Sequence, residues 1–175
     1  MTLRSVLDID PQFDPPETGT TLEQNADIKA QAVVKLTGGY ALADDTGLFV
    51  DALDGAPGIH AARYAGEHCS FADNTAKMLK ALTGVPLEKR TARFIAVLAL
   101  AHPDKPTRYF QGECAGVITT EPAGTHGFGY DPIFFVPELG RTFAQADLKT
   151  KEKYSHRGRA LASLAAWLAK AARAD

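Results

Sequence analysis

The sequence predicts an α/β fold in which helices flank a mixed β-sheet, and two observations support this prediction. Segments with helical spacing of apolar residues alternate with short apolar runs typical of strands, which is the element order of an α/β architecture. Two long apolar runs, Thr91–Ala101 and Thr107–Thr120, are separated by a proline-containing turn and are expected to pair. A length of 175 residues suits a single domain over residues 1–175.

The first half of the chain predicts two helices with a short strand between them. Residues 1–19 contain three prolines and predict irregular structure. A helix is expected over Thr21–Leu36, because it opens with capping-box spacing and is followed by two glycines. Tyr40–Ala43 predicts a short strand that runs into a tight turn at Asp44-Asp45. Ser70–Leu82 predicts the second helix, with serine and aspartate as candidate caps.

After the strand pair, the chain predicts a loop, a strand and a helical end. Pro122–Pro132 is rich in glycine and predicts a long loop, and Ile133–Val136 predicts a brief strand. The chain is expected to be helical from Ala144, and its last helix is expected to begin at about Ser155. Apolar residues then recur on one helical face: Leu161, Leu164, Trp167, Leu168 and Ala171.

Composition excludes several classes of partner. The chain is 45% hydrophobic and 23% charged, which is typical of a globular protein, and its net charge of −2 argues against a whole-surface attraction to nucleic acid. No apolar run has the length of a membrane span, and the N-terminus lacks the apolar core of a secretory signal. Two cysteines without metal-binding spacing fit a reducing cytoplasm, so we expect a cytoplasmic location.

Asp44 and Asp45 are the first candidates for chemistry. Adjacent carboxylates repel each other unless a cation or hydrogen-bond donors neutralise them. Mg²⁺ prefers one or two carboxylates together with phosphate oxygens and waters, and it can activate an attacking water. The alternative is a solvated turn, in which the sequence Asp-Asp-x-Gly is common.

Three further residues could complete such a site. Glu17 precedes the first helix and is either a partner for the helix dipole or a second acidic group of a metal site. Asn25 and Lys29 share one face of that helix, because they are four residues apart. Lys29 either contacts a phosphate or is solvated, as most helix lysines are.

The loop Gly124–Asp131 has the composition of a site for a planar ring. Its three glycines let the backbone approach a ligand closely, Phe128 offers an aromatic face for stacking, and Asp131 can accept from a ring N–H. The alternative is a hairpin-like loop with a core phenylalanine. The loop lacks the Gly-x-Gly-x-x-Gly pattern, so a dinucleotide site is not expected.

The run Ser155-His156-Arg157, together with Lys151, could read the edge of that ring. A guanidinium carries only donors, so it can donate to the keto oxygen at position 6 of a purine but offers no acceptor to an amino group there. The alternative is a helix N-terminus capped by Ser155, with the basic residues solvated.

In their order along the chain, these segments resemble the inosine triphosphate pyrophosphatase family, the XTP/dITP diphosphatases that act on non-canonical purine nucleotides. The resemblance runs from about Glu17 to the C-terminus and is carried by five segments. They are Glu17–Ala30, Ala41–Gly66, Thr91–Phe94, Gly116–Pro137 and Lys151–Leu161.

The resemblance implies a Mg²⁺-dependent hydrolase. Such enzymes cleave ITP, dITP and XTP to the monophosphate and pyrophosphate, which cleanses the nucleotide pool. They are usually homodimers with an elongated mixed α/β fold, whose two lobes flank a central cleft. Asp45 would be the general base and a metal ligand, with Asp44 beside it and Glu17 as a metal or water-positioning carboxylate.

The resemblance also implies the substrate contacts. Thr46 would touch the substrate and Lys29, with Asn25 on its helix face, would lie at the phosphates. The base platform would be the loop residues Phe128, Gly129, Tyr130 and Asp131. The nucleotide and keto-oxygen contacts would be Lys151, His156 and Arg157.

The sequence departs from the family pattern at its N-terminus. Members begin with a strand and a Ser/Thr-x-Asn-x-x-Lys phosphate-binding loop followed by a helix, and nothing in residues 1–16 matches this pattern. The sequence therefore predicts that the phosphate loop, the first strand and the first helix are missing. An alternative function follows from this departure, namely a catalytically impaired nucleotide-binding protein. A Mg²⁺ phosphatase with an aspartate nucleophile is a third hypothesis, but the Asp-x-Asp spacing usual for that chemistry is absent.

Overall fold

The computed structural model describes residues 2–173, which form one six-stranded sheet with helices packed on both faces. The helices are α1 (Leu22–Thr37), α2 (Phe71–Ala81), α3 (Leu148–Tyr154) and α4 (His156–Ala171). The strands are β1 (Ala41–Val50), β2 (Pro57–Gly58), β3 (Thr91–His102), β4 (Lys105–Ile118), β5 (Phe134–Val136) and β6 (Arg141–Thr142). Their order in the sheet is β2-β1-β3-β4-β5-β6.

The predicted α/β class with flanking helices is confirmed, with one difference in the sheet. All of the strand pairings within residues 2–173 are antiparallel, whereas a mixed sheet would also contain a parallel pair. The difference arises because the long strands follow one another through short connections. The predicted hairpin is present, and Pro103 and Asp104 form the turn between β3 and β4.

The helices begin and end where their capping residues stand. Thr21 accepts a hydrogen bond from the Gln24 amide, and α1 ends at Gly38, whose φ of 70° suits glycine. Ser70 and Asp73 form a capping box at the start of α2. The predicted final helix begins at His156, and Ser155 caps it by accepting from the Gly158 amide at 3.1 Å.

The predicted tight turn at Asp44-Asp45 is wrong. β1 continues through both aspartates to Val50 and pairs with β3 along its whole length. The strand continues because both aspartates pair with β3, and each carboxylate has a cationic donor on its own side of the sheet. Successive side chains of a strand point to opposite faces, so Asp44 and Asp45 lie on opposite sides.

These two faces have different neighbours. On one face, which we call the α1 face, α1 packs over Ala41, Val97 and Ala99. The other face carries α4 over Ala96 and Leu98 and, beyond it, the cluster that contains α2 and β5. We call this second face the cleft face, because a cleft lies between α4 and α2.

The approach of α4 to the sheet depends on Gly112 of β4. A Cβ atom at this position would lie 2.1 Å from the carbonyl oxygen of His156 and 2.4 Å from the amide nitrogen of Ala160. No side chain fits such a gap, because both neighbours are backbone atoms of α4. Glycine therefore lets the first turn of α4 lie directly on the cleft face.

Among residues 2–173, none of the helices combines the length and apolar character needed to span a membrane.

Candidate active site

A lysine between two carboxylates forms the centre of the site on the α1 face. Lys29 Nζ donates to Asp45 Oδ1 at 2.7 Å and to Glu17 Oε1 at 2.9 Å. Asp45 comes from the middle of β1, Lys29 from α1 and Glu17 from the irregular segment before α1. Lys29 lies on the face of α1 that packs across β1, so its side chain reaches Asp45 on that strand.

Two further side chains hold this cluster in place. Asn25 is fully buried, and its Nδ2 lies 3.5 Å from Asp45 Oδ2 while its Oδ1 accepts from the Gly19 amide at 2.8 Å. Asn25 thus fastens the segment that bears Glu17 to α1. Arg63 adds a second cation, with Nη1 3.6 Å from Glu17 Oε2.

Burial and charge perturb the proton affinities of the central pair. Burial raises the pKa of Asp45 above its ordinary value, and the nearby Glu17 charge raises it further, although the Lys29 ammonium opposes both effects. Burial alone would lower the pKa of Lys29, but the hydrogen bonds and charges of the two carboxylates outweigh it and raise that pKa. Asp45 is therefore a more basic carboxylate than a solvated aspartate, as a general base requires.

Asp44 has a different partner on the cleft face. Its Oδ2 accepts from Arg157 Nε at 2.9 Å and from Arg157 Nη2 at 2.7 Å. Thr46 lies on the same face two residues along β1, and its Oγ1 is 3.4 Å from Arg157 Nη2. Asp44 and Thr46 therefore connect the start of α4 to β1.

A cavity of about 600 Å³ opens on the cleft face beside this contact. Its floor includes Thr46 and Phe94 from the sheet, and its walls come from the start of α2, the loop at Phe128, and α3 with α4. Its lining is mostly apolar by area, and several polar and charged side chains also contribute to it. Such a cavity suits a planar ring with a hydrogen-bonding edge.

The predicted platform residues lie at one wall of this cavity. Phe128 is 55% exposed, so it does not belong to the core, and the alternative of a buried core phenylalanine is wrong. Lys151 Nζ lies 4.5 Å from the centre of the Phe128 ring and forms an ion pair with Asp131. Asp131 also accepts from the Phe128 amide at 2.8 Å, which fixes the loop. Tyr130 is buried, and its hydroxyl donates to the Ala61 carbonyl.

His156 also lines the cavity and has an unusual environment. Its ring is buried and stacks on Phe94, with ring centres 4.6 Å apart and planes 16° apart. Within the described part of the chain, His156 Nδ1 is the buried side-chain atom that lacks a hydrogen-bond partner. Burial, assisted by the charges of Arg157 and Lys151, lowers the pKa of His156 to about 3. The neutral ring has a nitrogen without a hydrogen-bond partner beside the cavity, which makes His156 a candidate binding group for a ligand.

The low pKa of His156 predicts a loss of stability in acid. The unfolded chain binds a proton near the ordinary histidine pKa of 6.5 while the folded chain does not. The free energy of unfolding should therefore fall by about 1.4 kcal/mol per pH unit as pH decreases below that value. Urea titrations from about pH 7.5 to about pH 5 should show that His156→Gln loses about 2 kcal/mol less than the unsubstituted chain.

The matched control for this experiment is His60→Gln, which removes an exposed histidine. Equal acid losses in the unsubstituted chain and in His156→Gln would contradict a neutral, buried His156.

The donor set fits a divalent cation held by two carboxylates. Within residues 2–173, no three histidine, cysteine, aspartate or glutamate side chains lie together as a ready-made metal site. Asp45 and Glu17 do converge on one cation, the Lys29 ammonium. Mg²⁺ usually takes only one or two protein carboxylates and completes its shell with phosphates and water, so this pair is sufficient. The predicted third carboxylate, Asp44, points to the other face.

The structure thus assembles the predicted residues into two groups. Glu17, Asn25, Lys29 and Asp45 meet on the α1 face, and the remaining predicted residues line or adjoin the cavity. Sequence reasoning missed Arg63 as a partner of Glu17 and Phe94 as the ring beneath His156. Neither residue carries a signal in its own spacing, because only the sheet topology brings these segments together.

An ion cluster on one face of β1 and an open cavity on the other define an α/β protein with a candidate site in two parts. The chain belongs to the Ham1 family, whose model matches residues 1–167. The expected absence of the N-terminal phosphate loop is not confirmed by this match and stays a prediction.

Curated relatives and solved structures agree with this membership. A dITP/XTP pyrophosphatase of Halalkalibacterium halodurans is 49% identical over 167 residues, covering 95% of this chain and 86% of the relative. A dITP/XTP pyrophosphatase of Geobacter sulfurreducens is 51% identical over 163 residues, covering 93% and 82%. The structure of the Staphylococcus aureus Ham1 protein superimposes with a TM-score of 0.88 at 42% identity, covering 94% of this chain and 85% of that one.

Proposed function

We propose that this chain hydrolyses non-canonical purine nucleoside triphosphates, namely dITP, ITP and XTP, to the monophosphate and pyrophosphate. As a member of the Ham1 family with relatives named dITP/XTP pyrophosphatase, it is a hydrolase of the nucleoside triphosphate pyrophosphatase class. The observation that carries the substrate proposal is the cavity lined by Phe128, His156 and Arg157, which lies on the face of β1 opposite to the ion pairs of Lys29. Hydrolysis of these nucleotides would remove damaged precursors from the nucleotide pool.

In the proposed mechanism Asp45 is the general base. Its raised pKa lets it accept a proton from the attacking water, and Asn25 keeps its carboxylate oriented. Lys29 and Arg63 supply positive charge for the triphosphate and for the pyrophosphate that leaves. Glu17 positions the water or the cation. Mg²⁺, held by Asp45 and Glu17, would supply charge neutralisation on the phosphates.

The purine occupies the cavity on the cleft face. Phe128 stacks on the ring, with Gly129 and Tyr130 shaping the wall, and Asp131 accepts from a ring N–H. Thr46 and Lys151 contact the nucleotide. His156 and Arg157 bind the edge that carries the keto oxygen at position 6, where an amino group would leave a donor unpaired.

Pyrophosphate release tests this function. We expect release from dITP, ITP and XTP in the presence of Mg²⁺, much slower release from ATP and GTP, and none after chelation of the metal. Nucleotide binding without pyrophosphate release would instead support the impaired nucleotide-binding alternative. An aspartyl-phosphate trapped with a phosphate mimic would support the phosphatase alternative.

Phe128→Ala should weaken binding of dITP by roughly 1–3 kcal/mol, because a base stacked on an aromatic ring contributes about that much. The free energy of unfolding should change little, since Phe128 is more than half exposed. Leu87→Ala is the control, because Leu87 is similarly exposed at 52% and does not line the cavity. Calorimetric titration measures the affinity, and an unchanged affinity in Phe128→Ala would exclude stacking.

The homodimer and the cytoplasmic location stay predictions of the sequence. Light scattering at several concentrations tests the dimer.

A further inference from the structure

The carboxylate of Asp44 binds the same arginine that the proposed function assigns to the purine. Two hydrogen bonds from Arg157 end on Asp44 Oδ2, and a third, longer one ends on Thr46 Oγ1. These contacts hold the plane of the guanidinium in one orientation at the edge of the cavity. They engage Nε and Nη2, and within residues 2–173 no side chain or carbonyl accepts a hydrogen bond from Nη1.

We propose that Asp44 is a positioning residue for substrate selection, which holds Arg157 so that its remaining donors meet a keto oxygen. The inference rests on the proposed function, because Arg157 must read the purine for its orientation to matter. It gives Asp44 a task separate from that of its neighbour Asp45.

The position of Asp44 on β1 supports this division. Asp45 faces α1 and pairs with Lys29, whereas Asp44 faces the cleft and pairs with Arg157. Because adjacent side chains of a strand point to opposite faces, the two carboxylates cannot share a partner on one face. Asp44 and Thr46 are consecutive on the cleft face of β1, and both accept hydrogen bonds from the guanidinium of Arg157.

Stability does not account for the pair. The side chains of Asp44 and Arg157 are 37% and 41% exposed, and ion pairs with that much solvent contact contribute little to folding. The start of α4 is already fixed by the packing of Ala160 and Leu164 on β3 and β4. The consequence of the pair is a fixed orientation of the Arg157 side chain. An unrestrained arginine loses conformational entropy when it binds a ligand, and an arginine that is already held in place loses less.

The test compares Asp44→Ala and Asp44→Asn with Glu138→Gln. Glu138 pairs with Arg159, another arginine of α4, at 2.9 Å and does not line the cavity, so Glu138→Gln should leave the preference unchanged. In Asp44→Ala we expect the ratio of kcat/KM for dITP to that for dATP to fall at least about tenfold. Asp44→Asn keeps an acceptor of the same size and should fall less. The Mg²⁺ concentration for half-maximal activity should stay the same.

A second readout separates this inference from the proposed function. Binding of deoxyinosine and deoxyadenosine monophosphates is measured without turnover, and Asp44→Ala should lose the preference for the inosine form. The unsubstituted chain could prefer deoxyinosine monophosphate in binding, lose this preference in Asp44→Ala, and yet release no pyrophosphate. That result would refute the proposed hydrolysis and uphold the role of Asp44. The inference is overturned if Asp44→Ala keeps the binding preference, or if it raises the Mg²⁺ requirement and slows both triphosphates equally.

Discussion

Asp45→Asn should reduce pyrophosphate release from dITP at least about a hundredfold, which is the lower range for loss of a general base. Asparagine keeps the size of the side chain but cannot accept the proton, and it removes one of the two charges that face Lys29. Lys29 retains its hydrogen bond to Glu17, so we expect the free energy of unfolding to fall by only about 1 kcal/mol.

The control for this substitution is Asp51→Asn. Asp51 is an exposed carboxylate just after β1 that accepts from Thr91, and it belongs to neither group of site residues. Steady-state release assays and urea titrations on both variants separate chemistry from folding. Normal turnover in Asp45→Asn would refute its assignment as the base.

Arg157→Leu should reduce kcat/KM for ITP roughly ten- to hundredfold, because a hydrogen bond from a charged donor to the keto oxygen is lost. ATP never made this contact, so its kcat/KM should change less and the preference for ITP should shrink. Leucine retains part of the bulk of arginine, which keeps the wall of the cavity apolar and closed.

Arg159→Leu is the matched control, since Arg159 lies two residues along α4 and pairs with Glu138 outside the cavity. It should leave both nucleotides unaffected. If Arg157→Leu slows ITP and ATP by the same factor, Arg157 binds phosphate or holds the helix, and the selectivity comes from another residue.

Local signals predicted most of the helices and strands. The caps at Thr21 and Ser70 mark helix starts, and the turn between β3 and β4 is encoded in five consecutive residues. The strand through Asp44-Asp45 could not be predicted in this way. Two adjacent acidic residues are typical of a turn, and what keeps them in a strand is the pairing of β1 with the distant β3.

The candidate site shows the same limit. Residue types at helical spacing, such as Asn25 and Lys29, correctly placed two groups on one face of α1. The partners of each charge were not predictable, because pairing depends on which face of β1 a side chain occupies. Asp44 and Asp45 do not act as one acidic pair, because neighbouring side chains of a strand point to opposite faces of the sheet.

Gly112 carries a consequence for how selectivity can change during evolution. The gap between β4 and the first turn of α4 is the width of a missing methyl group, so any larger residue there would lift His156 and Arg157 away from the sheet. Under the proposed function, the purine would then meet a wider opening without the loss of any residue that touches it. Discrimination between nucleobases would in that case depend partly on backbone clearance, which a comparison of only the ligand-contacting residues of two relatives would overlook.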